Sequence, residues 1–180
     1  GVMITASHNP PEYNGMKFVR EQSKPISQDT GLRDIERMCL RGVFKPAPAP
    51  GRTREVDIMA DYIQRLLTYV DIHQLNPFKV VVNAGNGCAG PVVDRLEPYL
   101  PFQLVKIHHE PDASFPHGIP NPLLVENRQP TIDAVIQNQA DIGIAWDGDF
   151  DRCFFFDEKG NFIEGYYIVG FLAQALLAKQ

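Results

Sequence analysis

The amino-acid sequence predicts an α/β fold with a mixed, mostly parallel sheet flanked by helices. Short apolar runs rich in β-branched residues alternate with segments of helical periodicity after residue 51, which is typical of such a sheet. Before that point, the proline-rich stretch Lys45–Gly51 is unable to continue a helix or to join a central strand. We therefore place the α/β unit in residues 51–158 and treat residues 1–50 as a separate region.

The region before the proline-rich stretch is predicted to contain two strands and one helix. Gly1–Ala6 and Met16–Val19 are apolar and are separated by a turn-rich segment. A helix is expected over Asp29–Arg41, because its apolar side chains recur on one face and Gly42 is a typical stop.

After the boundary, strands and helices alternate along the chain. The strands are expected at Phe78–Val82, Gln103–Ile107, Asp141–Trp146 and Cys153–Phe156. The helices are expected at Asp57–Tyr69, Pro91–Tyr99, Pro130–Asn138 and Ile168–Ala178. The last helix is expected to open a further domain at residues 159–180.

Charge, hydropathy and cysteine usage exclude several classes of function. The net charge of −5 argues against a nucleic-acid-binding protein, whose surface is usually basic. No apolar run approaches the ~18 residues of a transmembrane helix, and the first residues do not resemble a signal peptide. Three widely spaced cysteines form no CxxC pair, so neither a disulfide framework nor a zinc site is expected, and a reducing cytoplasm fits the chain.

The loop Asp147–Arg152 carries three carboxylates at alternate positions, directly after an apolar strand. The side chains of Asp147, Asp149 and Asp151 would repel one another unless a cation lay between them. Mg²⁺ prefers hard oxygen ligands and usually combines carboxylates with a phosphate oxygen. Open α/β sheets place their ligands at the carboxyl ends of strands, where this loop lies. Arg152 adds a cationic fork suited to a phosphate, so the loop predicts a site for magnesium and phosphate.

Three other interpretations of this loop stay open. It could be an exposed acidic turn, although apolar strands on both sides hold it in place. It could be a calcium loop of the EF-hand kind, built from the three aspartates and Glu158, but Arg152 stands where that loop needs glycine. It could belong to an aspartyl-phosphate phosphatase, which also places Asp-x-Asp after a strand and uses a carboxylate nucleophile. In that class, Asp151 would stand where threonine or valine is common.

A second polar cluster follows the first predicted strand, from Thr5 to Lys17. Ser7 enters a tight turn that exposes its hydroxyl, and a phosphoryl group stored there would carry about −1.5 to −2 charges at pH 7. Such a group needs cations nearby, which Mg²⁺, Arg152 and Lys17 could supply. Ser7, His8 and Lys17 taken singly are more often ordinary loop or surface residues, so only the joint pattern favours a functional site.

Together the two loops resemble the α-D-phosphohexomutase superfamily. Thr5–Lys17 matches its active-site signature, Thr-Ala-Ser-His-Asn-Pro with a following Tyr-Asn-Gly and Lys. Asp147–Arg152 matches its metal loop, Asp-Gly-Asp-x-Asp-Arg. Within the superfamily, Phe115–Leu124 and Phe162–Gly170 resemble bacterial phosphomannomutases of the GDP-mannose pathway. The resemblance runs the length of the chain.

The resemblance implies a four-domain enzyme of which this sequence carries a part. Residues 1–50 correspond to the C-terminal part of domain 1 with the phosphoserine loop, residues 51–158 to the α/β domain 2, and residues 159–180 to the start of domain 3. The Gly-Glu-x-Ser sugar-recognition loop of domain 3 and the Arg-x-Ser-Gly-Thr phosphate clamp of domain 4 do not occur in the sequence. We therefore expect residues 1–180 alone to lack mutase activity.

The resemblance also implies the chemistry. Ser7 would carry a phosphoryl group and exchange it with a hexose phosphate, so that mannose 6-phosphate and mannose 1-phosphate interconvert through a sugar bisphosphate, which also serves as activator. One Mg²⁺ would be held by Asp147, Asp149, Asp151 and Ser7. Arg152 would stabilise charge on the transferring oxygens. Lys17, or less favourably His8, would exchange a proton with the sugar hydroxyl, although a lysine of ordinary pKa near 10.4 is a weak base at pH 7.

Other functions and arrangements stay open at this point. A phosphoglucomutase or a dual-specificity phosphohexomutase would share the motifs, and a non-catalytic metal-binding domain would keep the acidic loop but carry no phosphate on Ser7. Because Gly1–Ala6 and Met16–Val19 present strand edges, we expect residues before the linker to be displaced, disordered or exchanged between copies in a strand-exchanged oligomer. Ser7 and Asp147 then need not lie close together. Hexose phosphate is the expected partner, with neither nucleic acid nor membrane.

Overall fold

The computed structural model describes residues 1–10 and 12–178, and the chain divides into two compact units. The first unit contains residues 1–6 and 14–58, and the second contains residues 7–13 (the serine loop) and 59–180. Pro11 of the serine loop and the last two residues of the predicted domain 3 segment, 179 and 180, lie outside the described residues. The segment that carries Ser7 therefore groups with the second unit rather than with the strands that precede and follow it.

Two short strands open the first unit. β1 (Val2–Ile4) and β2 (Met16–Phe18) pair antiparallel, and each is shorter than the predicted strand. Backbone hydrogen bonds extend the pairing at both ends, from the Thr5 amide to the Gly15 carbonyl at 3.0 Å and from the Val19 amide to the Gly1 carbonyl at 2.9 Å.

The helix of the first unit begins later than the sequence predicts. A wide turn, Gln28–Leu32, precedes α1 (Arg33–Arg41), because Gly31 adopts a φ of 139°, far outside the helical range. The helix ends as predicted, since Gly42 has a left-handed φ of 61° and its amide donates to two carbonyls of the last turn.

A five-stranded mixed sheet forms the second unit and confirms the predicted fold class. Its strands are β3 (Lys79–Asn83), β4 (Gln103–Ile107), β5 (Ile142–Trp146), β6 (Cys153–Phe156) and β7 (Phe162–Ile163). Their spatial order is β4-β3-β5-β6-β7. β3 pairs in parallel with β4 and β5, whereas β6 pairs antiparallel with β5 and β7. The sequence predicts all of these except β7, which is only two residues long.

The described part of the second unit also contains helices. They are α2 (Met59–Leu67), α3 (Ala89–Leu96), α4 (Gln129–Asn138) and α5 (Gly165–Leu177). Each is predicted by the sequence, and the ends differ by up to three residues from the prediction. Among the residues described, no helix combines the length and the apolar character that crossing a membrane requires.

The core of the second unit lies on both faces of β3. Val81 packs with Val135 of α4 on one face. Val80 and Val82 pack with Val93 of α3 on the other. Successive side chains of a strand point to opposite faces, so the unbroken valine run shows that both faces are covered. This packing fixes the carboxyl ends of β3 and β5, beside which the polar loops lie.

Candidate active site

The loop Asp147–Arg152 (the metal loop) is anchored by its first residue. The Asp147 side chain is fully buried, at 0% exposure, and one of its oxygens accepts from the Arg152 amide at 3.2 Å. The Asp147 carbonyl accepts from the Phe150 amide at 3.0 Å. Since Trp146 and Cys153 pair where β5 meets β6, the loop is also closed at its base. The loop is therefore stabilised by its own backbone and by the Asp147 side chain.

The three carboxylates of the metal loop form a compact group. Asp147, Asp149 and Asp151 each offer one oxygen, and these oxygens lie within 4.8 Å of one another. Burial decreases from Asp147 through half-buried Asp149 to exposed Asp151. Like charges this close are unfavourable unless a cation neutralises them. Hard oxygen ligands with one side open to solvent suit Mg²⁺, which keeps several waters when it binds. The residues thus fit the predicted metal.

Arg152 places its guanidinium between the metal loop and Ser7. The terminal nitrogen Nη2 forms an ion pair with Asp147 and donates to the Ser7 hydroxyl at 3.0 Å. The Nε atom donates to Asp151 at 3.4 Å. Because a guanidinium is not deprotonated in proteins, Arg152 offers a permanent positive charge beside the serine oxygen.

Ser7 lies against the metal loop. Its hydroxyl oxygen is 3.2 Å from a carboxylate oxygen of Asp147 and 3.2 Å from one of Asp149, and either carboxylate can accept a hydrogen bond from it. We expected that Ser7 and Asp147 need not lie close together. The structure corrects this, because the serine loop belongs to the unit that carries the sheet. Ser7 itself has a left-handed φ of 55°, which is strained for a non-glycine residue. Strained backbone conformations of this kind cluster at functional sites.

Gly148 allows the two loops to approach each other. A Cβ at this position would lie 2.3 Å from the Ser7 carbonyl oxygen, well inside van der Waals contact. From the sequence alone Gly148 has no assigned role. The one available signal is a small residue between two acidic ones.

His8 accompanies Ser7, whereas Lys17 is carried by the first unit. The Nδ1 atom of His8 is 3.2 Å from the Ser7 hydroxyl and also accepts from the Arg152 guanidinium. Because arginine can only donate, this nitrogen carries the lone pair in the arrangement observed. Lys17 lies exposed on β2, where it pairs with Met3 of β1. The second unit thus brings together all the predicted site residues except Lys17.

The thiol of Cys88 interacts electrostatically with Asp149 of the metal loop. Burial raises the pKa of the Cys88 thiol, and the negative charge of Asp149 raises it further. The thiolate is the reactive form of cysteine, so this shift suppresses its reactivity near neutral pH.

A pair of histidines lies at the same edge of the sheet, and no sequence pattern predicts that the two rings meet. The rings of His108 and His117 stack at a centroid separation of 3.9 Å. The Nδ1 atom of His117 is hydrogen-bonded to the Asn86 side chain at 2.8 Å. Burial lowers the pKa of His108, and the neighbouring His117 lowers it further. The pair therefore favours a neutral His108.

Comparison with known proteins identifies the family. Residues 60–160, more than half of the chain, match the family described as "Phosphoglucomutase/phosphomannomutase, alpha/beta/alpha domain II". This chain belongs to the phosphoglucomutase/phosphomannomutase family. Residues 1–44 match domain I of the same family, and that range contains Ser7 and Lys17. Phosphohexomutases generally use Mg²⁺, and the aspartates of this member form a group that can bind it.

Individual relatives agree with the family assignment. A protein named "Phosphohexose mutases" from Xanthomonas campestris pv. campestris (strain B100) is 60% identical over 181 residues, which cover 100% of this chain and 40% of the relative. A phosphomannomutase from Salmonella montevideo is 56% identical over 186 residues, covering 99% and 41%. The solved structure of a phosphoglucomutase/phosphomannomutase family protein from Burkholderia thailandensis has a TM-score of 0.87 at 31% identity, over 99% of this chain and 38% of that one. This chain spans about two fifths of the length of the curated relatives it matches.

Proposed function

We propose that the polypeptide carrying this chain is a phosphomannomutase, which interconverts mannose 6-phosphate and mannose 1-phosphate and so supplies the precursor of GDP-mannose. The position of Ser7 supports this most directly, since its hydroxyl lies 3.2 Å from two metal-loop carboxylates and 3.0 Å from Arg152. The name phosphomannomutase, carried by the relative from Salmonella montevideo, supports mannose as the sugar.

In this proposal Ser7 carries the phosphoryl group in the resting enzyme. The bond between phosphorus and the serine oxygen breaks as a bond to the sugar hydroxyl oxygen forms, which gives a bisphosphate sugar. The other phosphate then returns to Ser7, and the same bisphosphate acts as activator when it is supplied from solution. Positioning and charge stabilisation dominate such transfers. Arg152 contributes to both, because its Nη2 donates to the Ser7 oxygen that becomes the leaving group.

One Mg²⁺ would be held by Asp147, Asp149, Asp151 and the phosphorylated Ser7. When bound, it neutralises charge on the phosphoryl oxygens and stabilises the leaving oxygen. The amide and guanidinium of Arg152 both bind Asp147 and so orient this buried carboxylate. Exposed Asp151 leaves its side of the loop accessible to solvent.

The attacking sugar hydroxyl must lose its proton, and we propose Lys17 first and His8 second as the acceptor. Lys17 belongs to the segment that matches domain I. His8 lies beside Ser7, but its Nδ1 already accepts from Arg152, which disfavours it as a base. Lys17→Met and His8→Gln in the complete polypeptide separate the two. Loss of the true acceptor should lower kcat by about 10²–10⁴-fold at saturating sugar phosphate.

The test of the proposed function is the location of a phosphoryl group. Intact mass before and after phosphatase treatment should show one labile phosphate, and peptide mapping should place it on Ser7. In a coupled assay with mannose 1-phosphate, bisphosphate activator and Mg²⁺, Ser7→Ala should abolish nearly all turnover. Ser114→Ala, an exposed serine of the second unit, is the matched control and should retain it. A phosphate on another residue would refute the proposal.

The same assay distinguishes the remaining alternatives. Equal or higher kcat/KM with glucose 1-phosphate would favour a phosphoglucomutase or a dual-specificity enzyme. Absence of phosphate together with Mg²⁺ binding would favour a non-catalytic metal-binding domain. Residues 1–180 alone should show essentially no turnover, because the sugar-recognition loop and the phosphate clamp do not occur among them. Holding the sugar in line with the phosphoserine can supply about 7–11 kcal/mol of the barrier reduction. Size-exclusion chromatography of residues 1–180 tests whether copies exchange strands to form an oligomer.

We also propose that the complete polypeptide works in the cytoplasm and that its partner is a hexose phosphate.

A further inference from the structure

The turn that follows β3, residues 84–88, runs directly beside the metal loop. A Cβ on Gly87 would lie 2.5 Å from the Gly148 carbonyl oxygen and 3.0 Å from the Gly148 Cα. The amide of Cys88 donates to that same carbonyl oxygen at 3.0 Å. The backbone of this turn therefore fixes the position of the metal-loop backbone through one hydrogen bond and one close contact.

The contact continues from the metal loop to the serine loop. Gly148 in turn has the Ser7 carbonyl oxygen 2.3 Å from the position that a Cβ would occupy. Gly87, Gly148 and Ser7 thus form three successive layers of backbone without intervening side chains. Because each layer is in contact with the next, a shift at Gly87 must move Gly148 or open a gap.

The turn is itself tied to the core. The Asn83 side chain is buried, donates to the Thr131 hydroxyl at 2.9 Å and accepts from the Gly85 amide at 2.9 Å. The Asn86 amide donates to the His108 carbonyl at 2.7 Å. These bonds connect the turn to α4 and to the end of β4, so it is a rigid support rather than a mobile loop.

We propose that Gly87 and Cys88 are positioning residues for phosphoryl transfer, which act through Gly148 to set the distance between the metal-loop carboxylates and Ser7. The proposal rests on the proposed function. An added methyl at Gly87 needs about 1 Å of extra space to reach an ordinary contact distance, and that displacement is transmitted to the metal loop. A misplacement of about 1 Å at a reacting centre can cost on the order of 10²-fold in rate.

The test compares Gly87→Ala with Gly170→Ala in the complete polypeptide. Gly170 lies in α5, and within the part of the chain that the structure describes nothing lies within 4 Å of a Cβ there, so the control adds the same methyl away from the metal loop. Calorimetry measures the Mg²⁺ dissociation constant of each protein with Ser7 phosphorylated and after phosphatase treatment. We expect phosphorylation to tighten Mg²⁺ binding in wild type and in Gly170→Ala. In Gly87→Ala most of this tightening should be lost, and kcat should fall about 10²-fold with little change in the KM for the sugar.

The outcomes separate the two proposals. Failure of phosphorylation to tighten Mg²⁺ binding in wild type would refute the proposed function. Tightening and kcat that survive in a folded Gly87→Ala protein would overturn the positioning role alone. If Gly87→Ala does not fold, NMR of the Cys88 backbone amide in the wild-type protein tests the positioning role instead. It should be protected from hydrogen exchange and shift on Mg²⁺ addition, whereas the Gly170 amide should not shift. An unprotected and unresponsive Cys88 amide would contradict the proposal.

Discussion

The two compact units differ in what stabilises each of them. In the described parts of the chain, the buried apolar side chains all lie in the second unit, as those of Val81, Val135 and Phe156 do. Among the residues that the structure describes, the first unit has no buried one, and Leu40 of α1 is 80% exposed. Because apolar burial is the main favourable contribution to folding, the second unit has its own source of stability. The first unit by itself relies on its strand pairing, helix and turns.

The difference extends to the chemistry. Ser7 and the metal loop belong to the unit with the core, while Lys17 belongs to the unit without one. Groups that must keep fixed separations are better held on packed elements than on weakly stabilised ones. We infer that the geometry around Ser7 is preserved by the second unit, and that damage to the first unit would affect Lys17 before it affected the metal loop.

The largest effect is expected from Phe156→Ala. This side chain is fully buried on β6, and its loss should lower the free energy of unfolding by about 3–5 kcal/mol. The matched change in the first unit is Phe44→Ala, at a side chain that is 67% exposed, where about 0.5 kcal/mol or less is expected. Urea unfolding followed by circular dichroism measures both. Similar losses of unfolding free energy for the two variants would contradict the inference that only the second unit is stabilised by a buried core.

A smaller effect, confined to the metal, is expected from Asp149→Asn. Replacing one anionic ligand by a neutral amide should weaken Mg²⁺ binding by at least about tenfold, with a parallel loss of turnover in the complete polypeptide. Asp133→Asn, at an exposed position on α4, changes the same charge away from the site. Titration calorimetry gives both affinities. If the two variants bind Mg²⁺ equally well, the metal assignment fails.

The free energy of unfolding should depend on pH through His108 of the second unit. The pKa of His108 is lowered in the folded state, so the unfolded chain binds the proton more readily. The folded state therefore keeps its full stability at a pH above 6.5, the pKa of His108 in the unfolded chain, and loses stability as the pH falls below that pKa. His108→Gln should flatten this slope in urea midpoints taken between about pH 7.5 and about pH 5.5. His73→Gln, at an exposed position, is the control. A slope unaffected by His108→Gln would argue against the assignment.

The smallest effect is expected at the ion pair between Asp34 and Arg37 on α1. Both side chains are 66% exposed, and exposed pairs contribute only about 0–1 kcal/mol. Asp34→Asn should therefore change the unfolding free energy by about 0.5 kcal/mol or less, and salt should reduce the difference further. A loss well above that in urea unfolding would mean that the first unit depends on electrostatics more than its exposure indicates.

The fold was predictable from the sequence where local patterns determine structure. The valine run of β3 and the phenylalanine run of β6 mark strands because continuous apolar segments must be buried. β7 gives no such signal, since Phe162–Ile163 is too short for any period. The early start predicted for α1 fails at Gly31, whose φ of 139° is not visible in a helical pattern.

The site was predictable in its residue types but not in all of its contacts. The three aspartates are close in sequence and follow an apolar strand, so with Arg152 beside them they favour a cation site over the other interpretations of the loop. The contact of Ser7 with Asp147 spans 140 residues and depends on which unit the serine loop joins. The approach of Gly87 to Gly148 likewise depends on tertiary packing, which no local pattern encodes.

The separation of Ser7 from Asp147 along the chain also determines the order in which the ribosome releases the parts of the site. At about 5–20 residues per second, Ser7 is synthesised roughly 7–28 s before Asp147, which lies 140 residues later. During that interval the serine loop has neither the carboxylates nor Arg152 to contact. The metal loop, by contrast, closes between adjacent strands and has little loop entropy to overcome once β6 emerges. A nascent chain that has not yet reached Asp147 therefore presents Ser7 without the three carboxylates of the metal loop.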